Sequence, residues 1–271
     1  MKQMIPPPST VAYSQRHKDI VSSKTNTIKG CVNATKNNLL RIEPQVVSRY
    51  IDFEQAITQK TLFNFSEQTS FSIYTEDLLS CYKNKTKKVK EIFKLIKDTQ
   101  PKRFLSLCPY CGLTIPKTHD HYLPESRFPE LAVHALNLVP CCGACNETKN
   151  KYWRNDNHRI FLHFYSDIIP QTQYIKATLY SIDTSAVGAS FAMQRPDNVA
   201  DYIWEILEAH YEQLKLIEQY NENVNDEISC VHNSCVAHLR NGGTSLSGFI
   251  NDLLIPEEHL FGINHWRVVL M

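Results

Sequence analysis

Residues 118 to 153 read THDHYLPESRFPELAVHALNLVPCCGACNETKNKYW, and Cys108-Pro-Tyr-Cys111-Gly stands just ahead of them. Cys108 and Cys111 form one CxxC pair, Cys142 and Cys145 a second, with thirty residues between Cys111 and Cys142. Two such pairs can supply four thiolates at the corners of a tetrahedron, the closed arrangement of a structural zinc site. A two-residue gap built of small or turn-forming residues lets both sulfurs of a pair face one ion. Buried free thiols with a redox-active CxxC would account for one pair but not readily for both. Cys141 adjoins the second pair out of spacing and reads as a bystander. Zn²⁺ bound here would act on folding, since structural zinc is worth roughly 10–16 kcal/mol of apparent binding energy.

Between the pairs lie His119, Asp120 and His121, and Leu123-Pro124 ends any strand that carries them. Asn137-Leu138-Val139-Pro140 leads into the second pair, and Asn146 follows it directly. Lys149 and Asn150 stand three and four residues beyond Asn146. A helix starting near Cys145 would put these three side chains on one face and turn free backbone N–H groups toward an anion. Taken alone, His119-Asp120-His121 reads as a polar surface turn; its place between two CxxC pairs argues for a site.

This stretch resembles the HNH endonuclease family, whose core is two antiparallel strands and a helix around one catalytic metal. The likeness covers Cys108 to Lys151, about a sixth of the chain. It implies His121 as the general base that deprotonates the attacking water. Asp120 and Asn146 would be the protein ligands of a catalytic Mg²⁺ or Mn²⁺. Asn137 would hold the loop and orient His121 through hydrogen bonds, and Lys149 would contact phosphate. The chemistry suits these types. A hard cation on oxygen ligands neutralises the phosphodiester and stabilises its leaving oxygen, and imidazole titrates near neutral pH. Adjacent strand residues point to opposite faces, so Asp120 and His121 can share one site only if the backbone bends or the phosphate lies between them. His119 is left as a DNA contact or a structural residue.

Outward from the motif, composition sets bounds. The chain has 271 residues, 42% hydrophobic and 21% charged, with a formal net charge of +1. A sizeable core is available, and a globally basic DNA-coating protein is excluded. No apolar run reaches the ~20 residues of a membrane span, and the start, MKQMIPPPST, lacks the apolar stretch of a secretory signal. Nine cysteines in such a chain point to thiols or metal ligands, in keeping with a cytoplasmic protein outside the membrane.

The expected fold is α+β, a mainly helical chain around a small ββα-metal HNH core with a four-cysteine zinc site. Residues 1–45, rich in Ser, Thr, Asn and Lys, read as an irregular arm. Residues 46–103 read as a helical, basic region with helices from about Val46 and from Thr75 to Asp98. The core is 104–155. Residues 156–271 read as strands at Tyr174 to Ile182 and Ala186 to Met193, then a long amphipathic helix after Pro196-Asp197. A further helix, from Asn225, stops at Asn241-Gly242-Gly243, with short helices or turns beyond. The Thr75–Asp98 stretch carries a lysine run that includes Lys87 and Lys88. It is either a solvated face or a phosphate-backbone surface. Cys230, His232, Cys235 and His238 do not share a helical face and read as core residues. Trp153 and Tyr152 are expected to close the small core.

Two functions of different classes follow. One is metal-dependent hydrolysis of DNA. The other is a zinc-ribbon module that binds nucleic acid, or a partner, without turnover. Asp120, His121 and Asn146 separate them, because a binding module has no use for that trio. By the family resemblance, the setting would be phage defence or restriction, as in the nuclease subunits of Septu-like systems that work beside an ATPase.

Overall fold

A computed structural model describes residues 1–181 and 187–271. The first surprise is at the amino end. Residues 13 to 23 are helical (α1, Tyr13–Ser23), because Tyr13, His17, Ile20 and Val21 fall on one buried side at helical spacing. The two-residue strands β1 (Thr27–Ile28) and β2 (Cys31–Val32) then form a tight hairpin. Lys29 and Gly30 turn it, both at positive φ. The irregular arm expected at 1–45 is thus corrected: polar residues dilute a periodicity that is present.

Helix α2 (Ala34–Thr58) begins a full three turns before Val46. The reason is Asn33, whose side chain accepts from the Lys36 amide and caps the first turn. Leu39, Ile42, Val46, Tyr50 and Phe53 make its buried stripe. The single helix expected from Thr75 to Asp98 is two, α3 (Thr75–Lys83) and α4 (Lys87–Thr99). Lys85 takes positive φ between them, and Thr86 caps α4 through the Val89 amide. Val89, Ile92 and Ile96 bury one face of α4 and leave its lysines on the other.

At the centre, β3 (Thr118–His121) pairs antiparallel with β4 (Leu138–Cys141), Thr118 opposite Cys141 and His121 opposite Leu138. One residue later α5 (Gly143–Lys149) starts, capped by Cys142. This is the ββα order. Strands β5 (Ile175–Ser181) and β6 (Val187–Met193) form a second hairpin. The strand ends expected at Ile182 and Ala186 lie outside the described residues.

Helix α6 (Asp201–Gln213) gives way at Lys215, which takes positive φ, to α7 (Leu216–Arg240). The break therefore falls ten residues before the expected Asn225, while the stop at Asn241-Gly242 is where the glycine signals it. The tail is more regular than expected: α8 (Leu246–Phe261) and α9 (Trp266–Leu270). The fold is α+β and mainly helical. Buried side chains from Met1 to Trp266 form one continuous core, so the ββα unit is embedded in the helical frame. Among the described residues no helix is long and apolar enough to cross a membrane.

Candidate metal centre and cleft

The Sγ atoms of Cys108, Cys111, Cys142 and Cys145 all lie within 4.8 Å of one another, and all four residues are buried. Cys111 and Cys142 are 4.0 Å apart. A tetrahedral zinc at about 2.3 Å from each sulfur would separate them by about 3.8 Å, so the set fits the ion. Amides also point at sulfur: Cys142 N donates to Cys108 Sγ at 3.3 Å and Cys145 N to Cys142 Sγ at 3.5 Å. Hydrogen bonding from Cys108 pulls Cys142 strongly toward thiolate and brings Cys111 down to about 7, while Cys111 pushes Cys108 up and Cys108 pushes Cys145 up. Four converging sulfurs cannot all ionise unaided. A divalent cation removes that conflict, and these four could hold a structural zinc. Cys141 stays apart, its Sγ 3.3 Å from Thr118 Oγ1.

The first cysteine knuckle is clasped by the carboxy-terminal helices. His210 Nε2 donates to Tyr110 O, Tyr220 Oη to Cys111 O, and both His265 Nε2 and Trp266 Nε1 to Gly112 O. Gly112 sits at φ 67°, and a Cβ there would meet His265 at 3.0 Å, so only glycine closes this turn without strain. No sequence motif marks these clasping residues, because their partners lie about a hundred positions away or more.

Beside the knuckles opens a cleft of about 610 Å³ lined by His119, Asp120, His121, Glu125, Asn146 and Lys151 among others. Although they are neighbours on β3 and both pair in register with β4, Asp120 and His121 line the same cleft. Asp120 is buried. Its Oδ2 accepts from Tyr110 Oη at 2.7 Å and its Oδ1 from Lys149 Nζ at 3.1 Å. Lys149 Nζ also donates to His121 O at 2.8 Å.

His121 is pinned by Nε2, 2.9 Å from the Ala132 carbonyl. A carbonyl only accepts, so the neutral ring carries its proton on Nε2 and leaves the Nδ1 lone pair free. Nδ1 stands 3.6 Å from Glu125 Oε2, beyond hydrogen-bond range. Burial lowers the His121 pKa, partly opposed by the Glu125 carboxylate. Tyr82 meets the ring edge-on at 4.4 Å. Asn137 is wholly buried and does not reach the cleft. It accepts from Leu123 N at 2.7 Å and donates to the carbonyls of Leu123 and Leu131, at 3.1 and 3.2 Å. It thereby ties the exit of β3 to the segment whose next residue, Ala132, anchors His121.

Asn146 stands half-buried on the first turn of α5, its side chain without a hydrogen bond among the described residues. Asp120 and Asn146 are hard oxygen donors on one cleft. Two of the roughly four lone-pair positions of the carboxylate remain after Tyr110 and Lys149, and oxygen donors of this kind are the type that could hold a hard divalent cation such as Mg²⁺ or Mn²⁺.

Lys149 is corrected. Expected to contact phosphate, it is fully buried and neutralises Asp120 instead. At the last turn of a seven-residue helix packed on β3, its stem runs inward. Lys87 and Lys88 open α4. Lys88 pairs with Glu91 at 3.0 Å, and neither lines the cleft. Phe93 of α4 stacks at 4.0 Å on His119, which lines the cleft. Burial lowers His119 to about 4. Cys230 is exposed and Cys235 half-buried, against the expectation of core cysteines, and the four-cysteine set is the one such metal group among the described residues. Trp153 is buried as expected, but Tyr152 is exposed. Tyr110 and Glu125 escaped the sequence reading; the position of Tyr110 inside the CxxC pair was the available signal.

No family model matches the chain, and no solved structure matches it. Over 177 residues it is 29% identical to protein ea31 of Escherichia phage lambda, a match that covers 60% of this chain and 59% of that protein. The chain thus spans less than two thirds of that relative's length.

Proposed function

We propose that this chain is a metal-dependent HNH-type endonuclease that hydrolyses DNA phosphodiester bonds. The observation that carries the reading is His121: Nε2 is locked on Ala132 O, and Nδ1 makes no hydrogen bond in a cleft that also holds Asp120, Asn146 and, 3.6 Å from Nδ1, the Glu125 carboxylate. In this reading Nδ1 takes a proton from water as its oxygen attacks phosphorus. The P–O3′ bond breaks and solvent protonates the leaving oxygen, giving 5′-phosphate and 3′-hydroxyl ends. A lowered pKa keeps the imidazole neutral and able to accept at pH 7. A divalent cation on Asp120 and Asn146 would supply charge neutralisation of the phosphate and of the leaving oxygen. The lysines on the open face of α4, Lys87 among them, would meet backbone phosphates.

The setting we propose is phage defence or restriction, with a partner ATPase, on the strength of the family resemblance. A non-catalytic zinc-ribbon module is the second reading. It is favoured by the buried Lys149, which already balances the Asp120 charge. Plasmid cleavage by wild type and His121→Ala in Mg²⁺, Mn²⁺ and EDTA, with zinc content measured on both, tests the choice. The nuclease reading expects metal-dependent cutting that drops at least ~10²-fold in the mutant with zinc intact. Zinc-loaded wild type that binds DNA without cutting, alone and with its host's extract, would establish the binding module.

A further inference from the structure

The two donors that grip Asp120 come from the two cysteine knuckles. Tyr110 lies between Cys108 and Cys111, and Lys149 ends the helix that Cys142 caps and that carries Cys145 in its first turn. Tyr110 is wholly buried, its ring packed against His210 and Phe164, and its backbone oxygen is held by His210 Nε2 at 3.1 Å. Its hydroxyl therefore has one fixed direction, toward Asp120 Oδ2 at 2.7 Å. A short carboxylate on a strand end can rotate about its side-chain bonds; a donor on each oxygen removes that freedom. Outer partners of this kind commonly set the affinity of a metal ligand.

We propose that Tyr110 is a positioning residue that aims the Asp120 carboxylate at a divalent cation, so that the four-cysteine knuckle is built into the geometry of the cleft. The proposal rests on the reading of Asp120 as a ligand in an endonuclease, but it is tested by ion binding and not by turnover.

The experiment titrates Mn²⁺ into zinc-loaded full-length wild type and Tyr110→Phe, following free Mn²⁺ by electron paramagnetic resonance, with zinc content and melting temperature recorded for each. Tyr110→Phe keeps the ring and the packing. The expected result is Mn²⁺ half-saturation raised at least ~10-fold with the zinc content unchanged. Mn²⁺ affinity within twofold of wild type, or no saturable Mn²⁺ binding by wild type, overturns the proposal. Should Tyr110→Phe not fold, 4-aminophenylalanine at position 110 keeps a weaker donor at the same ring position. An affinity below wild type then supports the proposal, and wild-type affinity overturns it. Wild type that binds Mn²⁺ but never cuts DNA would sink the endonuclease reading while leaving this one standing.

Discussion

Lys149 Nζ stands 3.1 Å from Asp120 Oδ1 with neither side chain more than 3% exposed, a buried ion pair at the wall of an open cleft. Burial lowers the lysine pKa, and the Asp120 charge opposes that shift. Removing one partner of such a pair strands the other. We expect Asp120→Asn to lose about 3–5 kcal/mol of stability, and a compensating Lys149→Met in the same chain to recover much of it. Urea unfolding of the two single variants and the double variant gives the coupling. Additive losses would mean that the pair carries no mutual stabilisation.

How much of this was legible beforehand follows from where each partner sits in the chain. Cys108, Cys111, Cys142 and Cys145 declared themselves because metal chemistry constrains spacing, and the expected strand–strand–helix order appears around them. Helix α4 showed its apolar stripe, and Asn241-Gly242 its stop. Lys149 was misread because sequence spacing places a side chain on a helix face without saying whether that face looks out. Glu125 went unnoticed because nothing in Pro124-Glu125-Ser126 shows that the loop folds back over His121. The capping of α2 by Asn33 was readable in principle. It was masked by polar residues that lowered the mean without erasing the period.

Asn137 bonds both the amide and the carbonyl of Leu123, together with the Leu131 carbonyl, from a fully buried position. Asn137→Ala leaves the buried Leu123 amide without an acceptor, which alone costs about 1–3 kcal/mol. It also frees the segment that places Ala132 against His121. We expect lower stability and, for the nuclease proposed above, a fall in cleavage that saturating metal does not restore. A variant with normal cleavage would show that the loop is held without this residue.

Zinc removal should be felt far from the cysteines. Trp266 is buried with Nε1 on Gly112 O at 3.0 Å, and Tyr220 Oη rests on Cys111 O at 3.1 Å. Once the first knuckle loosens, the clasp of α7 and α9 has nothing to hold. A strong chelator, or Cys145→Ser, should lower the melting temperature and shift tryptophan emission to the red as Trp266 meets water. Emission that stays blue after zinc is stripped would show that the helical frame stands without the knuckle.

Acid should destabilise the fold before the carboxylates titrate, because buried histidines stay neutral. Burial lowers His17, His163 and His210 to about 4 and His265 to about 3. The unfolded chain binds these protons near the reference value of about 6.5, and the folded chain does not. The stabilisation is therefore complete above pH 6.5 and is lost as pH falls toward 4, with a slope of about 1.4 kcal/mol per pH unit for each histidine. His17 tests the sign most directly. It is 1% exposed, both ring nitrogens lack a hydrogen-bond partner, and its ring meets Tyr50 edge-on at 5.9 Å. Replacing it with phenylalanine keeps the ring contact and removes the proton site. Urea midpoints measured between pH 7 and 5 should fall less steeply in His17→Phe than in wild type, by about one proton's worth of slope. Parallel slopes would mean that His17 takes up its proton in the folded protein as readily as in the unfolded chain.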